Sequence, residues 1–283
     1  MLPGHAPRVG AESTRSLSFR ILNYPAVVAV PDLEAHEAVR AIFGGFTPHE
    51  CSDEDPPRYT LAREERGHWS VRVGGRRTSL SSDLTDAVVA LEWQVVSDML
   101  HATRGGFHLH GAALSAPSGE ASLLVLGASG AGKTTLALAL MARGFLPFAD
   151  DIVFIDPDTL VPRALQRAFH VDASTRALVE RSLHRPVIQL DGLPGGYVLP
   201  LHWATRDAPV RTIVFPTVRP DEVPAATRLT IAEATARLLP FSTTLEEAPQ
   251  RALSVAARLT ARAACYGLVC GDLDITVDLV ARL

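Results

Sequence analysis

The stretch Gly127-Ala128-Ser129-Gly130-Ala131-Gly132-Lys133-Thr134 matches G-x-x-x-x-G-K-[ST] at every fixed position, the pattern of a phosphate-binding loop. The residues before it, Ser122-Leu123-Leu124-Val125-Leu126, read as a buried strand. Those after it, Thr135-Leu136-Ala137-Leu138-Ala139-Leu140, read as a helix. A strand entering and a helix leaving is the setting the loop needs. Its glycines let backbone N–H groups turn inward around phosphate oxygens. The helix beginning near Lys133 adds its positive dipole end. Lys133 supplies a point charge to the outer phosphates, and the Thr134 hydroxyl suits Mg²⁺. The expected nucleotide cradle is Gly127, Ala128, Ser129, Gly130, Ala131, Gly132, Lys133, Thr134 and Thr135.

Seventeen residues after Lys133 comes Asp150-Asp151, opening the apolar run Ile152-Val153-Phe154-Ile155. Phosphoryl transfer has two jobs for carboxylates, one at Mg²⁺ and one at the proton of the attacking hydroxyl. Neighbours on a regular strand point to opposite faces, so only one of the pair would then face the nucleotide. At a strand end or a bulge both reach it. Spacing alone leaves a dividing pair and a merely solvated pair equally open.

The chain has 283 residues, 47% hydrophobic and 20% charged, with net charge −4 and pI about 6.2. That is ample for a packed core, and no basic tract points to nucleic acid. Cys51, Cys265 and Cys270 lack zinc spacing and are odd in number, which fits free thiols in a reducing compartment. No signal-peptide h-region and no run of eighteen apolar residues is present, so no membrane partner and a cytoplasmic location are expected.

The pattern divides into a flexible arm (1–16), an α+β accessory module (17–104) and a catalytic domain (105–283). Strands are expected at 17–21, 26–30 and 58–62, a helix capped by Asp32, and a hairpin 68–73/76–80 turning on Gly74-Gly75. The acidic segment 49–57 reads as a solvated loop. A helix runs over 82–102, with Trp69 and Trp93 read as core or interface aromatics. The strand 107–114 then forms an antiparallel hairpin into the phosphate loop, rather than a βαβ start. Later strands are expected at 196–201, 210–215 and 264–269, and helices from Ile231, from Ala248 and over 276–283.

His110-Gly111, the loop 127–134, Arg143-Gly144 and Ala149-Asp150-Asp151 together resemble the HPr kinase/phosphatase family, itself similar to phosphoenolpyruvate carboxykinases. The resemblance covers the stretch 110–155 and implies an α/β fold of α+β character with a phosphate-loop core. It implies ATP and Mg²⁺, Asp150 as general base, and Thr134 and Asp151 at the metal. Lys133 falls at the transferring phosphoryl group and His110 beside the acid pair. It also points to an oligomer. No L-E-V-R-G-like run follows Ile155, so a kinase without the reverse, dephosphorylating activity is expected. A further metal ligand is sought among Asp158, Asp172 and Asp191, and a transition-state cation between Arg163 and Arg167, with Arg167 preferred. A metal pair of His108 with His110 finds no support in the resemblance.

The leading expectation is a kinase of a hydroxyl group, with a peptide or protein serine as acceptor. The N-terminal module is similar to those of HPr-kinase-like proteins outside sugar uptake, some resembling kinases of ribosomally made peptides, lasso-peptide precursors included. A small-molecule kinase and a non-catalytic nucleotide-binding regulator stand as alternatives.

Overall fold

The computed structural model describes residues 15–48, 58–103, 105–182 and 196–283. Residues 1–14 of the expected arm, the acidic segment 49–57 and Asp191 lie outside them. The fold is mixed, with helices packed on largely antiparallel sheets.

The first unit comprises β1 (Arg15–Ile21), β2 (Tyr24–Val30), α1 (Leu33–Phe43), β3 (Thr47–Pro48), β4 (Tyr59–Arg63), β5 (Trp69–Val73), β6 (Arg76–Ser81) and α2 (Leu84–Ala102). Its sheet runs β3-β1-β2-β4-β5-β6. Asp32 caps α1 by accepting from the Ala35 N–H, and Asp83 caps α2 through Asp86. Gly74 and Gly75 both take positive φ, the hairpin turn that glycine pairs favour. Val88, Leu91, Val95 and Met99 of α2 are buried, as their helical spacing requires.

The second unit continues with β7 (Phe107–Ser115), β8 (Ser122–Leu126), α3 (Lys133–Met141), β9 (Leu146–Ala149), β10 (Ile152–Ile155), β11 (Pro162–Arg163), β12 (Phe169–Val171), α4 (Ala173–Ser182) and β13 (Gly196–Val198). It ends with β14 (Val210–Val218), β15 (Ala225–Arg228), α5 (Ile231–Leu238), α6 (Thr244–Glu247), α7 (Pro249–Arg262), β16 (Ala264–Cys270) and α8 (Leu273–Val280). The large sheet runs β11-β10-β7-β8-β14-β16-β15, with β9 also paired to β7. β8, β14 and β16 are parallel, and β7 is antiparallel to β8. The hairpin feeding the loop is therefore as expected.

Alternation along β7 divides the core. Phe107, Leu109 and Ala113 join one apolar cluster, and Ala112 and Leu114 the other. The second cluster carries α3 and α8. The first is continuous from the large sheet and α7 into β1, β2, α1 and α2, so both units share one interior.

Some expectations need correction. Trp69 is core, but Trp93 is 71% exposed, which leaves it only the interface reading, because Val88, Leu91 and Val95 already fill the buried side of α2. The last helix begins at Leu273, capped by Asp272, ahead of the expected 276. Helix α4 and the short strands β3, β11, β12 and β15 were not anticipated. Each is too short or too polar to show a clear period.

Gly111 of β7 pairs with Leu126 of β8. A Cβ there would stand 2.5 Å from Leu126 Cδ2 and 2.6 Å from the Val125 carbonyl oxygen. Gly111→Ala is expected to lower the unfolding free energy in urea by about 1–3 kcal/mol. Gly105→Ala, which meets open space, is expected to stay within about 0.5 kcal/mol.

Candidate functional site

β8 ends at Leu126, and the chain loops through 127–132 before α3 starts at Lys133. Gly130 and Gly132 have φ of 76° and 82°, a region that costs glycine nothing. Gly132 is the N-cap of α3 and makes no side-chain cap bond, which leaves the first-turn N–H groups facing the cleft. Lys133 is buried, and its Nζ donates to the Ala128 carbonyl at 3.0 Å. Burial lowers its pKa. The Thr135 hydroxyl is hydrogen-bonded to Thr175 of α4 at 2.8 Å, which ties α3 to α4 at the wall of the cleft. Arg143 binds Asp274 and Asp278 of α8, locking the far end of α3.

Asp150 and Asp151 do not open one strand. They form the corner between β9 and β10, and both strands pair with β7. The register puts His110 opposite Ile152, and the Gly111 N–H donates to the Asp151 carbonyl at 3.2 Å. Asp151 takes φ 68°, which Asp tolerates better than most residues. This kink breaks strand alternation, and both carboxylates line the same cleft of about 730 Å³.

The two acids occupy different environments. Asp150 is 4% exposed. Its Oδ2 accepts from the Thr134 hydroxyl at 2.9 Å, and its Oδ1 is buried without a hydrogen-bond partner. Burial pushes its pKa up to about 6, with the Thr134 bond opposing. Asp151 is half-exposed. It accepts from Arg167 Nη1 at 2.8 Å, and its Oδ1 lies 3.2 Å from His110 Nδ1. The His110 hydrogen bond, with Arg167 beside it, holds its carboxyl well below the usual range. An orphaned, buried carboxylate oxygen next to a threonine hydroxyl fits a hard divalent cation, which takes oxygen donors. Among the described residues no group of three or more His, Cys, Asp or Glu is arranged for a metal.

Arg167 lines the cleft, but it is not a free cation. Its Nε donates to Glu92 Oε1 of α2 at 2.7 Å, and its Nη1 holds Asp151. Glu92 is 2% exposed, and the Tyr197 hydroxyl reaches its other oxygen at 3.5 Å. Sequence reasoning missed Glu92. The signal was present: Val88, Glu92 and Val96 repeat every four residues on the apolar face of α2. Val89 and Trp93 of α2 also line the cleft.

The remaining candidates sit elsewhere or are engaged. Arg163 pairs with Asp156 and Asp207 and does not line the cleft. Asp158 lies in the turn whose carbonyls hold Arg258. Asp172 lines the cleft but caps α4, accepting from Thr175 N–H and Ser174 Oγ. His108 is buried against Phe154, away from His110's partners. Cys265 and Cys270 are free thiols. No helix of the described residues is long and apolar enough to cross a membrane.

No protein-family model matches the chain, and no curated protein matches it. Among solved structures, the Hpr(Ser) kinase/phosphatase from Coxiella burnetii aligns over 62% of this chain and 92% of that one. The identity is 14% and the TM-score 0.30. A likeness of that strength carries no argument about activity, which rests on the cleft itself.

The Asp150 environment has a measurable cost. Its folded pKa near 6 exceeds the ordinary 3.8, so the native state holds the proton more tightly than the unfolded chain. Stability therefore falls as pH rises from about 4 through about 6, and the penalty is complete above that. Asp150→Asn is expected to raise the melting temperature in metal-free buffer at about pH 7.5 by a few degrees, on the order of 2 kcal/mol. The gain should shrink toward zero by about pH 4. A melting temperature lowered at neutral pH would contradict this account of the site.

Proposed function

We propose that the chain is an ATP- and Mg²⁺-dependent kinase that transfers the γ-phosphoryl group to a hydroxyl, with a serine of a peptide or protein as acceptor. The observation that carries the reading is the pairing of Thr134, at the start of an open helix N-terminus, with the buried and half-satisfied Asp150. In phosphate-loop enzymes this threonine and an aspartate are the metal's protein ligands. Mg²⁺, when bound, neutralises charge on the outer phosphates.

The allocation of roles that the geometry supports differs from that suggested by the resemblance. Thr134 and Asp150 hold the metal, because Asp150 is enclosed and gains most from a cation. Asp151 faces the cleft and meets the acceptor hydroxyl. The bond from the γ-phosphorus to its bridging oxygen breaks as the bond to the acceptor oxygen forms, ADP leaves, and the hydroxyl proton passes to Asp151. A low-pKa carboxylate suffices, because a loose transition state keeps that proton on the hydroxyl until late. His110 and Arg167 orient Asp151. Lys133 turns from the Ala128 carbonyl to the phosphates, and the first-turn N–H groups of α3 bind their oxygens. The exposed indole of Trp93 and its neighbour Val89, one helical turn apart on α2, suit an acceptor with apolar surface flanking the hydroxyl, which a peptide has. In this reading 105–283 is the catalytic domain and 17–104 the accessory module.

The test is transfer of label from γ-labelled ATP, with Mg²⁺, to serine peptides and small alcohols in parallel. Transfer to peptides supports the reading. Transfer to small alcohols alone replaces the acceptor class, and tight ATP binding with no transfer makes the protein a regulator. Lys133→Ala is expected to lower turnover by about 100-fold or more and to weaken ATP binding. Asp151→Asn is expected to lower kcat by about 100-fold with ATP affinity within about twofold of wild type. Thr134→Ala is expected to raise the Mg²⁺ concentration needed for half-maximal activity by about tenfold. Should Asp150→Asn rather than Asp151→Asn be the variant that keeps its Mg²⁺ requirement and loses only kcat, the two acids exchange roles.

A further inference from the structure

The segment carrying Arg167 is gripped by the N-terminal unit at two points. The first is Glu92, whose carboxylate meets Arg167 Nε at 2.7 Å with 2% exposure on the Glu side and 11% on the Arg side. The second is Gly45, just past α1. Any Cβ there would collide with the Gln166 carbonyl oxygen and with Leu199 Cδ1. Backbone therefore packs on backbone one residue before Arg167. From Arg167 the contacts run on to Asp151 at 2.8 Å and from Asp151 to His110 at 3.2 Å.

A purely structural explanation of Glu92 is weak. Its neighbours on the helix face, Val88, Val95 and Val96, are buried, so an apolar residue would fit there. A buried ion pair seldom stabilises a fold more than well-packed apolar side chains of similar size. A carboxylate–guanidinium contact at the inner end of a cleft, with the guanidinium's other arm on a half-exposed carboxylate, is better explained by what it orients.

We propose that Glu92 is a positioning residue for phosphoryl transfer. It fixes Arg167 so that the guanidinium holds Asp151 against the acceptor side of the cleft, and it thereby makes the N-terminal unit a working part of the active site. This rests on the kinase reading above. Arg167 is planar and forked, so one face satisfies Glu92 while another donor reaches Asp151. Without Glu92 the guanidinium has one anionic partner in place of two and follows Asp151 into the cleft. The metal and the phosphate loop are not involved, so nucleotide binding stays intact while the acceptor-side acid loses its orientation.

The experiment uses the full chain and the best acceptor peptide from the transfer screen. Glu92→Gln is expected to lower kcat by about 10- to 100-fold, with the Kd for a fluorescent ATP analogue within about twofold of wild type. The double variant Glu92→Gln with Arg167→Gln is expected to be no slower than Arg167→Gln alone, since both act through one contact. Where Glu92→Gln fails to fold, Arg167→Lys gives the same information, because a lysine keeps the charge but cannot serve both acids. It is expected to show the same loss of kcat. Wild-type kcat in the folded Glu92→Gln or Arg167→Lys variant overturns the proposal, as do losses that multiply in the double variant. If the wild-type chain transfers to no acceptor, the kinase reading falls and this proposal with it. Transfer by wild type with an indifferent Glu92 overturns this proposal alone.

Discussion

Everything at the cleft depends on one antiparallel register. β7 runs beside β9 and β10, which together form a single course interrupted at Asp150-Asp151. The interruption falls opposite Gly111-Ala112, beside the His110–Ile152 pair, and the Gly111 N–H donates to the Asp151 carbonyl. A slip of one residue would turn His110 to the other face of the sheet. The same slip would put a Cβ in place of the Gly111 hydrogen against Leu126. The ladder thus joins an imidazole, two carboxylates and the helix that begins at Lys133, from segments forty residues apart in sequence (Asp150 and His110). Local strain at Asp151, a non-glycine residue with positive φ, is the deformation that brings both acids into one space.

Much of this was legible in the chain, and for identifiable reasons. The phosphate loop carries its own flanks, so Ser122 to Leu126 and the helix after Gly132 followed directly from apolar patterning. The Gly74-Gly75 hairpin and the Asp32 cap are short-range signals that tertiary packing had no reason to overrule. The Asp150-Asp151 corner was harder. Its spacing from Lys133 was visible, but whether one strand or two carried it depended on pairing with β7, which is a long-range fact. For Glu92 the misfit was visible on the helix face, but its partner was not, for a similar reason. A lone acid on an apolar helix face looks like a misfit until Arg167, seventy-five residues later, arrives beside it. For Trp93 the sequence left core and interface open, since a large aromatic on an amphipathic helix suits either, and only its exposure decides against the core.

The electrostatics explain why the two adjacent acids differ so much. Asp150 is enclosed and has a hydroxyl as its hydrogen-bond donor, so its charge is poorly solvated. Asp151 has a guanidinium and an imidazole beside it and stays ionised. Two carboxylates on adjacent residues thus have pKa values pushed in opposite directions, a division often found where two acids do different work. Arg167 is the hinge of that division. It lends its charge to Asp151 and to Glu92, and it does nothing for Asp150 beyond a distant attraction.

The apolar cluster running without a break from α7 through the large sheet into α1 and α2 bears on whether either unit could stand without the other. Ordinary domains are shuffled as cassettes because little but a linker is cut when they part. Here a cut after α2 would lay bare a greasy interior and strip the Arg167 guanidinium of one of its two counter-ions in the same stroke. The two halves are therefore expected to unfold in one cooperative step.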